Sequence, residues 1–192
     1  LPGNDIVIHL AAKISVNESI TNPEETFEVN VKGTENVLNA SIANNIKKFF
    51  IFSSAAVYGN NKNPDHISKE DDKLISISPY GESKIKMEEV VYRICKNQSI
   101  DSVIFRLFNV YGKGQSKEYA GVISKFAENI EKNEQLIIYG NGEQSRDFIA
   151  IEDIIDLIQK IIISNLNKNF EIYNLGFGTH TSILKLADIM IK

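Results

Sequence analysis

Ser78-Pro79-Tyr80-Gly81-Glu82-Ser83-Lys84 decides the fold when it is read with the upstream stretch Phe50-Ile51-Phe52-Ser53-Ser54-Ala55-Ala56-Val57-Tyr58-Gly59. Ser78 suits an N-cap, and Pro79 suits the first helical position, where a missing N–H costs nothing. Apolar residues at Ile85, Met87, Val90, Val91 and Ile94 then keep helical spacing, which predicts a helix over about Tyr80–Lys96. Tyr80 and Lys84 share one face of its first turns. An ammonium beside a phenol favours the phenolate, so Lys84 is expected to lower the Tyr80 pKa and make it a usable base. Lys48 to Ser53 is an apolar run of strand length that ends in two serines. In a parallel α/β sheet, side chains at the carboxyl ends of strands face the ligand crevice. Ser54 there, with Tyr80 and Lys84, makes a set able to move a proton from an alcohol. Taken alone, Tyr-x-x-x-Lys on an amphipathic helix reads as a solvated pair; the order strand, Ser-Ser, helix, strand lifts it above that.

The chain has 192 residues with 43% hydrophobic and 24% charged content, the balance of a soluble globular protein. A net charge of −4 gives no reason to expect nucleic acid. No run approaches a membrane span and no signal-peptide pattern is present. The single cysteine, Cys95, falls within the helix that starts at Tyr80 and reads as a buried, inert thiol. A reducing cytoplasm fits that usage. No metal-ligand spacing, internal repeat or Ser–His–Asp arrangement is found.

Six segments together carry a resemblance. They are His9-Leu10-Ala11-Ala12, Asn30-Val31-Lys32-Gly33-Thr34, Ser53 to Gly59, Pro79 to Lys84, Arg106-Leu107-Phe108-Asn109-Val110-Tyr111-Gly112, and Tyr139 to Phe148. In this order and spacing the chain resembles the extended short-chain dehydrogenase/reductases, specifically the NAD-dependent nucleotide-sugar epimerase/dehydratase group. The resemblance implies an α/β fold: a Rossmann-type doubly wound parallel sheet with a smaller α/β substrate domain. The expected division is residues 1–112 and 113–192, with a strand at 171–175 returning to the main sheet. No Gly-x-Gly-x-x-Gly turn is present, and the chain stops at Lys192 inside a helical pattern. The expectation is therefore an internal piece of a longer protein whose sheet lacks its N-terminal part.

Further segments follow in order. Asp5 to His9 reads as a buried strand. Leu10-Ala11-Ala12 at its end reads equally as tight strand–helix packing or as close approach of a flat ligand; the resemblance implies a nicotinamide-ribose contact. His9 reads as a packing residue. A helix starts at Asn22-Pro23, with an apolar stripe through Phe27, Val31, Val37, Leu38 and Ile42. Asn30 within it is either simply exposed or, as the resemblance implies, faces the catalytic strand and supports the cofactor. Asn60 to Ile77 reads as a solvated loop. Asp101 to Phe108 is a further buried strand, in which Arg106 is expected to be paired structurally. Asn109 is a turn-capping amide, or on the resemblance a ligand of the substrate diphosphate. The remaining elements read as a helix Tyr119–Lys132, a strand Leu136–Tyr139, a strand at Phe148-Ile149, a helix Glu152–Ile163, a strand Glu171–Leu175, and a helix Ile183–Ile191 capped by Thr181 or Ser182. Arg146 beside Asp147 is a surface ion pair, or on the resemblance the clamp on a nucleotide diphosphate.

The resemblance thus implies catalysis by Ser54, Tyr80 and Lys84. It implies cofactor contacts from Leu10, Ala11, Ala12, Asn30, Ser53, Tyr80, Lys84 and Phe108. Substrate contacts are implied for Ser54, Asn109, Val122, Tyr139 and Arg146. The cofactor is NAD, the substrate a nucleotide-diphosphate sugar of the UDP type, and the assembly a homodimer built on two helices, with Met87, Val91 and Tyr92 as contact candidates. No nucleic acid or membrane partner is expected. The family's dehydratases carry an acid and a base after the catalytic serine or threonine, and its decarboxylases tend to carry a glutamate there; here stand Ala55 and Ala56. That leaves 4-epimerisation of a UDP-hexose through a 4-keto intermediate as the expected reaction. The alternatives are a 4,6-dehydratase, a decarboxylase, and a non-catalytic nucleotide-binding module.

Overall fold

The β-branched and aromatic runs form strands, and the amphipathic stretches between them form helices. The computed structural model describes residues 5–60, 66–116, 121–164, 166 and 169–192. The chain opens with β1 (Ile6–His9), α1 (Val16–Thr21) and α2 (Pro23–Phe27), followed by a π-helical stretch Glu28–Gly33 and α3 (Thr34–Ala43). Next come β2 (Lys48–Ser54), a 3₁₀ turn Ala55–Tyr58, α4 (Pro79–Cys95) and β3 (Asp101–Leu107). The rest is β4 (Asn109–Tyr111), α5 (Val122–Glu131), β5 (Ser145–Arg146), β6 (Phe148–Ala150), α6 (Ile151–Ile163), β7 (Phe170–Leu175), β8 (Thr181–Ser182) and α7 (Ile183–Ile191).

Two compact units result: residues 1–107 with 164–174, and residues 108–163 with 175–192. The division falls ahead of the boundary expected at residue 112. In the first unit the sheet order is β1-β2-β3-β7, and β1–β2 and β2–β3 pair in parallel. Strand–helix–strand connection produces this pattern, because parallel neighbours need a crossover. Leu38, Phe49, Ile51, Met87, Val91 and Ile104 form the core between α3, α4 and the sheet, each at most 1% exposed. Burial of this apolar surface drives the assembly of the layer.

In the second unit β4 pairs in parallel with β6, and β5 antiparallel with β8. A smaller core joins Phe126 of α5 to Ile183, Leu186 and Ala187 of α7.

Four expectations need correction. Leu136–Tyr139 is not a strand. Leu136 and Ile138 turn into the small core while Ile137 and Tyr139 are 62% and 76% exposed, so the segment alternates like a strand without a ladder partner. Met87 and Val91 lie in the core of their own unit and offer nothing to a second copy; Tyr92, half exposed, packs edge-on against Phe170. The helix expected from Asn22 runs as three helical stretches and is preceded by α1, whose Ser15 cap accepts from the Glu18 N–H. The helix expected from Tyr119 begins, within the described residues, at Val122; Tyr119 itself lies outside them. Residues 61–65 of the expected loop also lie outside the described residues. Among the described residues no helix is long and apolar enough to cross a membrane.

Candidate active site

Ser54 is the last residue of β2, and its backbone is extended where the chain turns into Ala55–Tyr58. Its hydroxyl accepts from the Ala56 N–H at 3.2 Å and lies near enough to the Tyr80 phenol to favour its ionised form. Tyr80 reaches it because α4 begins at Pro79 under the Ser78 cap, which accepts from the Gly81 N–H at 3.1 Å. Ser19 of α1 accepts from the Tyr80 N–H at 3.0 Å, so one local hydroxyl and one distant in the chain hold the first turn of α4. Gly81 is required there: a Cβ would sit 2.8 Å from the Ala56 carbonyl oxygen and against the Ser76 hydroxyl.

Tyr80 is 8% exposed and Lys84 is 3% exposed. The Lys84 ammonium lies 6.0 Å from the Tyr80 ring centroid and donates to the Phe52 carbonyl at 2.9 Å. Burial pushes the lysine down to about 8, against the opposing pull of Glu88. Burial also pushes the Tyr80 phenol above its usual value, and Ser54 supplies the opposing hydrogen bond. This corrects the expected role of Lys84. Lys84 is bonded to a strand carbonyl and the phenol lies above its usual value, with Ser54 and not Lys84 acting against the rise.

Asn30 is fully buried in the π-helical stretch and is likewise corrected: it faces α4 and the segment after β1, not the catalytic strand. Its Oδ1 accepts from the Lys13 N–H at 2.8 Å, and its Nδ2 donates to the Lys13 carbonyl and to the Ser83 hydroxyl, each at 3.0 Å. Every hydrogen-bonding group of that amide is used. It fixes the segment carrying Leu10, Ala11 and Ala12 beside α4; Leu10 and Ala11 are exposed and Ala12 is half-buried. His9 stacks on Phe49, with ring centroids 6.1 Å apart, and its Nε2 lies 3.1 Å from the Thr34 hydroxyl. That hydroxyl already donates to the Asn30 carbonyl at 2.7 Å, so it accepts from His9 Nε2–H. Burial first, and the charge of Lys84 second, hold His9 below the usual histidine range. His9 is thus a neutral packing group.

Ser53 differs from its neighbour. It is 3% exposed, and its hydroxyl has no hydrogen-bond partner among the described residues.

Residues of the second unit stand apart in this description. Asn109, exposed at the start of β4, donates both its backbone N–H and its Nδ2 to the Asp147 carbonyl, at 3.0 and 2.9 Å. Arg146 in β5 is exposed and donates to the Ser145 carbonyl at 2.7 Å. Tyr139 is exposed, Val122 opens α5 half-buried, and Phe108 is half-buried with its N–H on the Leu175 carbonyl. Asp147 is not paired with Arg146: its carboxylate accepts from the Phe177 and Gly178 N–H groups at 2.7 and 2.8 Å.

Sequence reasoning missed Ser19, Thr34, the Asp147 cradle and Glu88 as the partner of Arg106, whose structural pairing it expected. Only Glu88 had a local signal, four residues beyond Lys84 on the same helical face.

The profile of the NAD dependent epimerase/dehydratase family matches residues 3–176. The chain belongs to that family. It is 36% identical over 206 residues to the UDP-glucose 4-epimerase of Mycoplasma genitalium, covering 98% of this chain and 60% of that protein. It is 32% identical to the dTDP-D-glucose 4,6-dehydratase of Mus musculus over 98% of this chain and 51% of that protein. The UDP-N-acetylglucosamine 4-epimerase of Methanobrevibacter ruminantium M1, solved with UDP-N-acetylmuramic acid, superposes with a TM-score of 0.90 at 35% identity, over 98% of this chain and 60% of that one. The chain therefore spans between half and two thirds of the length of these relatives.

NAD is the cofactor of the family. The residues at the end of β2 fit it. The Ser53 hydroxyl is unpartnered and buried, and Lys84 has three N–H groups against one carbonyl and one distant sulfur. Hydroxyl-bearing ribose is the kind of group such donors hold.

Proposed function

We propose that the protein is an NAD-dependent 4-epimerase of a nucleotide-diphosphate sugar of the UDP-hexose type, acting through a transient 4-keto sugar. The observation that carries this is Ser54 at the end of β2, followed by two alanines, with Tyr80 and Lys84 buried one turn apart at the start of α4. Tyr80 takes the proton of the sugar 4-hydroxyl. Ser54 hydrogen-bonds the same oxygen and relays the proton. Lys84 and Ser53 hold the ribose of the cofactor, and the Leu10-Ala11-Ala12 segment, fixed by Asn30, lies against it. NAD held by Lys84 and Ser53 would supply the hydride acceptor and donor for C4, and its positive charge would favour the phenolate. Asn109 and Arg146 bind the diphosphate, with Val122 and Tyr139 lining the nucleotide.

A 4,6-dehydratase must also remove the C5 proton and expel the 6-hydroxyl, which needs a further acid and base. Ala55 and Ala56 offer neither. The test is to incubate the intact protein with UDP-glucose, UDP-N-acetylglucosamine, UDP-glucuronate and dTDP-glucose and to read the products by NMR. One UDP-sugar is expected to give its 4-epimer. A 4-keto-6-deoxy sugar from dTDP-glucose would overturn the reading, as would a protein that neither carries nor binds NAD.

A further inference from the structure

Arg106 lies in the buried strand β3, and its guanidinium is only 2% exposed as a residue. Its Nε and Nη2 grip the Glu88 carboxylate at 3.1 and 2.7 Å. Glu88 sits on α4, one turn beyond Lys84 and two beyond Tyr80. Arg106 Nη1 donates to the Tyr58 hydroxyl at 2.8 Å and to the Glu70 carbonyl at 2.9 Å, and the guanidinium lies 5.1 Å from the Tyr58 ring centroid. The Tyr58 hydroxyl donates in turn to Asn174 Oδ1 at 2.7 Å. Tyr58 closes the 3₁₀ turn capped by Ser54, whose hydroxyl accepts from the Ala56 N–H.

The path therefore runs from Ser54 through the turn to Tyr58, across Arg106 to Glu88, and back along α4 to Tyr80. A buried ion pair is a weak source of stability, because desolvation offsets most of the attraction. Its geometry is nevertheless demanding: a planar fork fixes both the carboxylate and the phenol. We propose that Tyr58 and Arg106 are positioning residues that hold Ser54 against Tyr80 by bracing the turn after Ser54 to helix α4. This deepens the proposed function, since it rests on reading Ser54 and Tyr80 as the pair that handles the proton.

A purely structural role would make the same contacts a staple between the loop near Glu70 and β7, with no bearing on Tyr80. Tyr58→Phe separates the two. It keeps the ring beneath the guanidinium and removes the hydroxyl bonded to Arg106 and Asn174. The probe is the intact protein with its tyrosines ¹³C-labelled at Cζ, so that the Tyr80 phenol is titrated directly. In Tyr58→Phe Ser54 is held less firmly beside the phenol, and the proton affinity of the Tyr80 phenol is expected to rise about threefold or more. The kcat of the 4-epimerisation should fall about tenfold with KM within about twofold, because orientation and not binding is lost. An unchanged Tyr80 titration and an unchanged kcat well below the melting temperature, with only the melting temperature lowered, would overturn the proposal. The NMR titration needs no substrate, so that outcome is distinct from failure of the epimerase reading, which a fully active Tyr80→Phe would signal.

Discussion

Ser53 and Ser54 are adjacent, yet among the described residues one hydroxyl has no partner and the other accepts from the Ala56 N–H. A buried hydroxyl without a partner costs about 1–3 kcal/mol. Ser53→Ala should therefore stabilise the unliganded protein by about 1 kcal/mol and weaken NAD binding by about fivefold. Denaturant unfolding and calorimetric titration with NAD read the two effects; loss of stability with unchanged NAD affinity would take Ser53 out of the cofactor site. For Tyr80 the expectation is kinetic. Tyr80→Phe removes proton transfer and should lower kcat by about 10²–10⁴, with UDP-sugar affinity within a few fold. A kcat near wild type would remove Tyr80 from the chemistry.

At the scale of the element, α4 is where local signals were most legible. Ser78 caps it, Pro79 starts it, and its apolar positions face the sheet, each for a reason visible within a few residues of chain. Its contact with the 3₁₀ turn was not legible, because the whole stretch from Val57 to Tyr80 separates Gly81 from Ala56 in the chain. Gly81→Ala tests that contact. Helix propensity alone favours alanine by about 1 kcal/mol. The Ala56 carbonyl 2.8 Å from the added Cβ opposes it. We expect net destabilisation of about 1–3 kcal/mol and a fall in kcat, as α4 moves off the turn. Thermal unfolding that shows stabilisation would mean the turn yields. Leu136–Tyr139 was misread for the converse reason: its alternation is real, but a strand also needs a partner, and no local pattern reports one. The short helix α1 carried a legible Ser15–Glu18 signal that went unread.

Across the whole molecule, the alternation of strand and helix was enough to read a parallel sheet, because chain handedness and crossover length leave few other arrangements. The ion pair of Glu88 with Arg106 and the Asp147 cradle were beyond reach, since each joins residues distant in the chain. Lys84 connects the site to global stability. Its pKa falls from 10.5 in the free side chain to about 8. Below about 8 both folded and unfolded chains hold the proton, and the cost of burying the charge is full. Between about 8 and 10.5 the unfolded chain binds more protons, so stability rises with pH across that window. Lys84→Met removes the cost. The variant should exceed wild type by about 3 kcal/mol more at pH 7 than at pH 10.5. Chemical denaturation at both pH values measures this; an equal difference at the two would mean that burial does not depress the lysine.

The hydroxyls around α4 have one more consequence. Thr34 receives from His9 and gives to the Asn30 carbonyl; Ser83 receives from the Asn30 amide and gives to the Tyr80 carbonyl. Each run points one way and stops at a carbonyl oxygen, which has no proton to pass on. The interior behind Tyr80 is in this sense an insulator. On the proposed reading, a proton lifted from the substrate finds no conduit along either of these runs and stays beside the oxygen it left, ready to be handed back when the sugar has turned over.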